Sequence, residues 1–201
     1  MKERPILYQG AMVRAILDGR KTQTRRIIKS QWQMLPLENP DYVREALAKC
    51  PYGQPGDRLW VKETHWRYGQ WGKNGKTKSG KQKWKFHAFN NEARFTEQPK
   101  TSYRTICGWY KRPSIFMPHW ASRITLEIAK VRVERLQDIS GCDVLAEGVD
   151  NGKSNPTMGE RWENMQRMAF EALWDSLNAK RGFGWDVNPW VWVIEFKRLK
   201  T

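Results

Sequence analysis

The stretch that most constrains the fold is residues 122 to 136, "SRITLEIAKVRVERL". Ile124, Leu126 and Ile128 alternate with polar residues, and the alternation resumes on Val131 and Val133 one position out of phase. Side chains of a strand alternate between its faces, so a run of this length predicts a long strand with one covered face. The phase slip around Ala129 and Lys130 predicts a bulge or sharp bend, a device that curves a sheet toward a barrel. Near the C-terminus, "PWVWVIEFKRL" (189 to 199) is apolar on both faces for its first half, which predicts a central strand.

A third strand, "RLWVKETHW" (58 to 66), places Leu59, Val61, Glu63 and His65 on one face. A carboxylate among aliphatic residues is costly unless it is paired or hydrogen-bonded. Glu63 therefore either has a structural partner or lies at the mouth of a pocket, and the sequence leaves both readings open.

Helical signals lie between the strands. Met12, Val13, Ile16 and Leu17 have helical spacing, and Gly19 follows where a left-handed residue commonly ends a helix. "TQTRRIIK" is β-branched and basic and predicts a strand, which puts Lys21 at a helix-to-strand corner and Thr24 a few residues into the strand. "DYVREALAK" (41 to 49) predicts a helix and "YGQPGD" (52 to 57) a turn. Ser140 and Asp143 have capping-box spacing ahead of Val144 and Leu145, and Gly148 ends that helix. A second box, Thr157 to Glu160, predicts a longer helix with Trp162, Met165, Ala169, Leu173 and Leu177 on one face. This mixture is an α+β pattern, and 201 residues suit one domain carrying an insertion.

The insertion is expected over residues 67 to 100. Its lysines, Lys73, Lys76, Lys78, Lys81, Lys83 and Lys85, interleave with Trp71, Trp84 and Phe86, and no acid occurs between Glu63 and Glu92. Ammonium groups and exposed rings suit phosphates and unpaired bases. The alternative is a solvated hairpin whose aromatics fold back on the barrel. The formal net charge of +15 favours a polyanionic partner, with nucleic acid first and an anionic membrane surface second. No apolar run of about 18 residues is present, and "MKERPILYQG" lacks a signal-peptide hydrophobic region, so a cytoplasmic protein without membrane attachment is expected. Three cysteines and three histidines are scattered, which predicts neither a disulfide framework, nor a metal site, nor a cofactor. GxGxxG, P-loop and GxSxG motifs are absent from the sequence, which demotes nucleotide-triphosphate hydrolysis and serine-hydrolase chemistry.

Taken in order, "AILDGRKTQTRR", "PGDRLWVKET", "RLQDISGCDVLAEGV" and "VWVIEFKRL" resemble the ASCH domain family of the PUA-like superfamily, in particular members of phage and prophage origin. The resemblance covers most of the chain outside the lysine-rich insertion. It implies one domain over residues 1 to 201, a small mixed β-barrel flanked by helices, with a cleft for RNA or a modified nucleoside. The family's amidohydrolase members cleave N4-acetylcytidine with a lysine, a threonine and a glutamate. Their motif falls on Lys21 as base, Thr24 as nucleophile and Glu147 as acid, with Glu63 the alternative acid. Arg20, Arg25 and Arg26 would then form an anion-attracting rim. Two other activities remain open on the same resemblance: RNA binding without turnover, and a single-strand ribonuclease whose lysine works with a hydroxyl of Tyr68, Tyr103 or Ser122.

Elementary electrostatics bears on these residues. Glu147 lies just before Gly148, where the negative end of a helix favours a protonated carboxyl. A helix C-terminus would stabilise the Lys21 ammonium, whereas Arg20, Arg25 and Arg26 would lower its pKa by repulsion. The sequence does not rank those two effects.

Overall fold

The computed structural model describes residues 1–28, 33, 37, 39–95, 107–149 and 159–199. Its strands are β1 (Glu3–Leu7), β2 (Gln23–Ile27), β3 (Arg58–Lys62), β4 (His65–Lys76), β5 (Gln82–Ala88), β6 (Gly108–Arg112), β7 (Thr125–Arg135) and β8 (Trp190–Leu199). Among the described residues, helices α1 (Gly10–Leu17), α2 (Pro40–Ala48), α3 (Gly141–Ala146) and α4 (Glu160–Asn178) are accompanied by short 3-10 turns on either side of β7 and between α4 and β8. This is a mixed α+β fold with two sheets. One sheet has the strand order β1-β3-β7-β8-β2 and the other β5-β4-β6. Among the described residues, no helix is long and apolar enough to cross a membrane.

The chain divides into two compact units. The first comprises Met1–Arg4, Ala11–Leu59 and Ile124–Thr201, and the second Pro5–Gly10 and Trp60–Arg123. The second thus takes in the expected insertion and extends well to either side of it.

In the first unit, β8 pairs antiparallel with both β7 and β2. The pairing with β7 shifts register between Ile128 and Lys130, where the phase slip in the sequence predicts a bulge. The shift keeps Leu126, Ile128, Val131 and Val133 on one face of β7. It sends Arg132 and Glu134 to the other face, level with Val193 and Val191. Val191 and Val193 pack there with Leu136, Ile139, Val144, Phe170 and Trp174, so that α3 and α4 cover this side. Trp192, Ile194 and Phe196 are buried on the opposite side, which is why β8 is apolar on both faces.

Helix α4 differs in detail from expectation. Trp162, Gln166, Phe170, Trp174 and Asn178 are its buried residues, whereas Leu177 is exposed and Met165, Ala169 and Leu173 are half-buried. The two large rings at Phe170 and Trp174 set the rotation, because they carry the most apolar area. The helix begins after Gly159, and the Thr157 half of the expected capping box lies outside the described residues.

Candidate functional site: a buried lysine and glutamate between two helix ends

Helices α1 and α3 finish in the same way. After α1, Gly19 has φ +76°, its N–H donates to Ile16 O and the Arg20 N–H to Ala15 O. After α3, Gly148 has φ +79°, its N–H donates to Leu145 O and the Val149 N–H to Val144 O. Both are Schellman endings, for which glycine is the low-strain residue. The two ends converge: a β-carbon at Gly148 would lie 2.8 Å from Ala15 Cβ and 2.9 Å from Lys21 Cβ. The position requires glycine for this close approach as well as for its backbone.

Lys21 uses that proximity. Its Nζ donates to Glu147 O at 2.6 Å and to Glu147 Oε2 at 2.8 Å, while the Thr22 N–H takes Ala146 O at 2.8 Å. The Lys21 side chain therefore caps the C-terminus of α3, while its backbone N–H donates to Ala15 O at the end of α1. The side chains of Lys21 and Glu147 are only 2% and 6% exposed, which makes them a desolvated ion pair. Burial is the largest influence on Lys21 and pushes its pKa below the ordinary 10.5. The charge and hydrogen bond of Glu147 pull it back up, and Arg26 and then Arg25 push it down. The arginine repulsion weighed from the sequence is thus secondary to desolvation.

Arg25 is the correction to the expected rim. Its side chain is 0% exposed and lies between carboxylates, at 3.1 Å from Glu134, 3.2 Å from Asp143 and 3.4 Å from Glu147. Register explains this: Arg25 stands opposite Val193 and Gln23 opposite Glu195, on the β2 face that α3 covers. The bulge in β7 delivers Arg132 and Glu134 to the same face. Arg132 there pairs with Glu134, Glu195 and Asp143, and the Gln23 amide donates to Asp143 Oδ1 at 2.8 Å. Burial tends to raise the Asp143 carboxyl, but the Gln23 hydrogen bond and the Arg25 and Arg132 charges outweigh it and hold it below 3.8. This second layer steadies Glu147 through Arg25. Sequence reading missed it, although "KVRVER" shows charged residues opposite Val131 and Val133, which was the available signal.

The remaining candidates are placed as follows. Thr24 is buried and stands opposite Ile194, on the Arg26 side of β2 and away from the Arg25 guanidinium. Arg20 is exposed and pairs with Asp18 at 3.0 Å, and Arg26 is half-buried. Glu63 belongs to the second unit, where Arg123 holds it through Nε and Nη2 at 2.8 and 2.9 Å. It has the structural partner that was one of its two readings. Ser122 Oγ donates to Val61 O at 3.0 Å, and Tyr68 packs against Phe89 and Trp109. Tyr103 lies outside the described residues. Lys73, Lys76, Lys78, Lys81, Lys83 and Lys85 are all exposed on the β4–β5 hairpin, as are Trp71 and Trp84. Among the described residues, no group of three or more His, Cys, Asp or Glu side chains is arranged to hold a metal ion.

No protein-family description matches the chain, and no curated protein matches it at a significant level. Among solved structures it is similar to an ASCH domain from Lactobacillus crispatus JV V101. The identity is 12%, the likeness covers 98% of this chain and 79% of that one, and the TM-score is 0.41. An overlap of that quality carries no functional assignment, which rests instead on the residues above.

Proposed function

We propose that the protein is an ASCH-type amidohydrolase that removes the acyl group from N4-acetylcytidine or a closely related modified nucleoside. The observation that carries the reading is the buried Lys21–Glu147 pair, a base and an acid 2.8 Å apart in a desolvated setting. A low-dielectric site disfavours the charged forms, so the proton shared by the pair moves from the ammonium to the carboxylate at reduced cost. The neutral amine of Lys21 then takes the proton of the Thr24 hydroxyl as Thr24 attacks the acyl carbonyl. Protonated Glu147 delivers its proton to the departing N4, the C–N bond breaks, and cytidine leaves behind an acetyl-Thr24 ester. Water attacks the ester, Glu147 accepts one proton from the water, Lys21 returns one to Thr24 as acetic acid departs and ionises in solvent, and the Glu147 proton passes back to Lys21. Protons balance over the cycle, and Arg25 keeps Glu147 oriented throughout.

The decisive experiment is incubation of N4-acetylcytidine with the wild type, Lys21→Ala, Glu147→Gln, Thr24→Ala and Glu63→Gln, followed by chromatography of the products. Cytidine and acetate should form with the wild type and with Glu63→Gln, and turnover should be lost in the first three variants. Retention in Thr24→Ala alone would assign the attack to water directly. An absence of turnover by folded wild type would overturn the reading.

A further inference from the structure

The β5-β4-β6 sheet of the second unit has one face that the proposed chemistry does not use. Pairing sets Trp71 opposite Phe86 and Lys73 opposite Trp84. It also sets Arg67 opposite Tyr110 and His65 opposite Arg112, so these side chains share a face. Phe86 packs against Trp71 and Tyr110, with ring centroids 5.5 and 5.7 Å apart. The Arg112 guanidinium lies 4.9 Å from the Trp71 ring, 4.6 Å from Phe86 and 4.8 Å from Phe116. Gly69 makes room for this cluster, because a β-carbon there would strike His87 O and lie 2.8 Å from Phe86 Cζ. Trp84, beside it, is 56% exposed, Phe116 60% and Trp71 39%.

Exposed rings gathered on one face mark an interaction surface. The charge says which: seven cations and no acid lie between residues 64 and 91. Among the described residues, no carboxylate pairs with Arg112 or with the hairpin lysines. We infer that this face binds single-stranded nucleic acid, with bases stacked on Trp84, Trp71 and the Arg112 plane while the exposed lysines take the phosphates. Duplexes bury their base faces, so rings exposed on a sheet select unpaired strands. The inference stands apart from the proposed hydrolysis, which uses other residues.

The test is fluorescence anisotropy with labelled 12-nucleotide RNA and DNA single strands, and with the same sequences as duplexes, over a series of salt concentrations. Wild type should prefer single strands. Trp84→Ala should weaken single-strand binding about 5- to 100-fold with little change in salt slope. Arg112→Lys, which keeps the charge but loses the plane, should also weaken it. A Lys76→Gln, Lys78→Gln, Lys81→Gln triple variant should reduce the salt slope by about 2 while retaining the single-strand preference. Trp84 is exposed, and near-ultraviolet circular dichroism checks that its loss leaves the fold intact. Equal affinity for duplex and single strand, or an affinity insensitive to both Trp84→Ala and Arg112→Lys, would overturn the proposal. So would binding to phosphatidylserine vesicles in place of either nucleic acid. A preference for RNA or for DNA among the single strands identifies which of the two the face takes.

Discussion

Replacing Lys21 by methionine tests whether the pair is as desolvated as its geometry indicates. The substitution keeps much of the aliphatic stem and removes the ammonium that bonds Glu147 at two oxygens. The stranded carboxylate is 6% exposed, and its remaining cation, Arg25, sits 3.4 Å away while serving Glu134 and Asp143 as well. Breaking a buried pair from one side costs about 3–5 kcal/mol. The Glu147 carbonyl also loses its side-chain donor, a further ~1–3 kcal/mol, which relief of the Lys21 desolvation and the residual Arg25 contact offset in part. A net loss of about 3–5 kcal/mol corresponds to a fall in Tm of about 6–20 °C for a domain of this size. Unfolding by heat and by urea, followed by circular dichroism and tryptophan fluorescence, measures it. Lys21→Met combined with Glu147→Leu removes both charges and should lie within about 2 kcal/mol of wild type, since apolar replacement of a buried pair is often neutral. A single-variant loss below about 1 kcal/mol, or strictly additive losses in the double variant, would refute the argument.

Other perturbations follow from the same contacts. Gly148→Ala combines a left-handed backbone with contacts under 3 Å to Ala15 and Lys21, and should cost about 2–5 kcal/mol in urea unfolding. Lys21 also has a signature in pH. Its folded pKa is lowered, so between that value and 10.5 the unfolded chain binds more protons and stability rises with pH. Lys21→Met should flatten the rise on the alkaline side of neutrality, and parallel wild-type and variant curves would contradict the depressed pKa. Asp143 gives the opposite limb: its lowered pKa stabilises the fold above 3.8, and that contribution is lost as pH falls through the folded value, so Asp143→Asn should blunt acid unfolding. In the second unit, Arg123→Met strands a Glu63 side chain that is 7% exposed, and should destabilise by about 1–3 kcal/mol. Adding Glu63→Gln should restore most of that loss in thermal unfolding.

Much of the architecture is legible in one dimension because it follows from local rules. Alternation in 122 to 136 foretells β7 and even its bulge, since period two and its interruption are properties of neighbouring residues. The capping box at Ser140 and Asp143, and the glycines at 19 and 148, mark helix ends by local hydrogen bonding and backbone freedom. Helix α4 turns inward a different face from the one its apolar spacing predicts, because Gln166 and Asn178 are buried and a polar residue on a core face is invisible to hydrophobicity alone.

The candidate site divides along the same line. The motif at residues 19 to 26 and the corner it occupies could be read directly, and so could the position of Glu147 at a helix end. Which carboxylate meets Lys21 could not, because Glu63 and Glu147 are equally acidic in sequence and differ only in the strands and helices that carry them. Arg25 passed for a surface cation on composition, yet pairing with β8 turns it inward among three acids that lie more than a hundred residues away. Local propensity specifies strands, caps and turns, whereas charge burial depends on pairing register, and register is settled by contacts between distant segments.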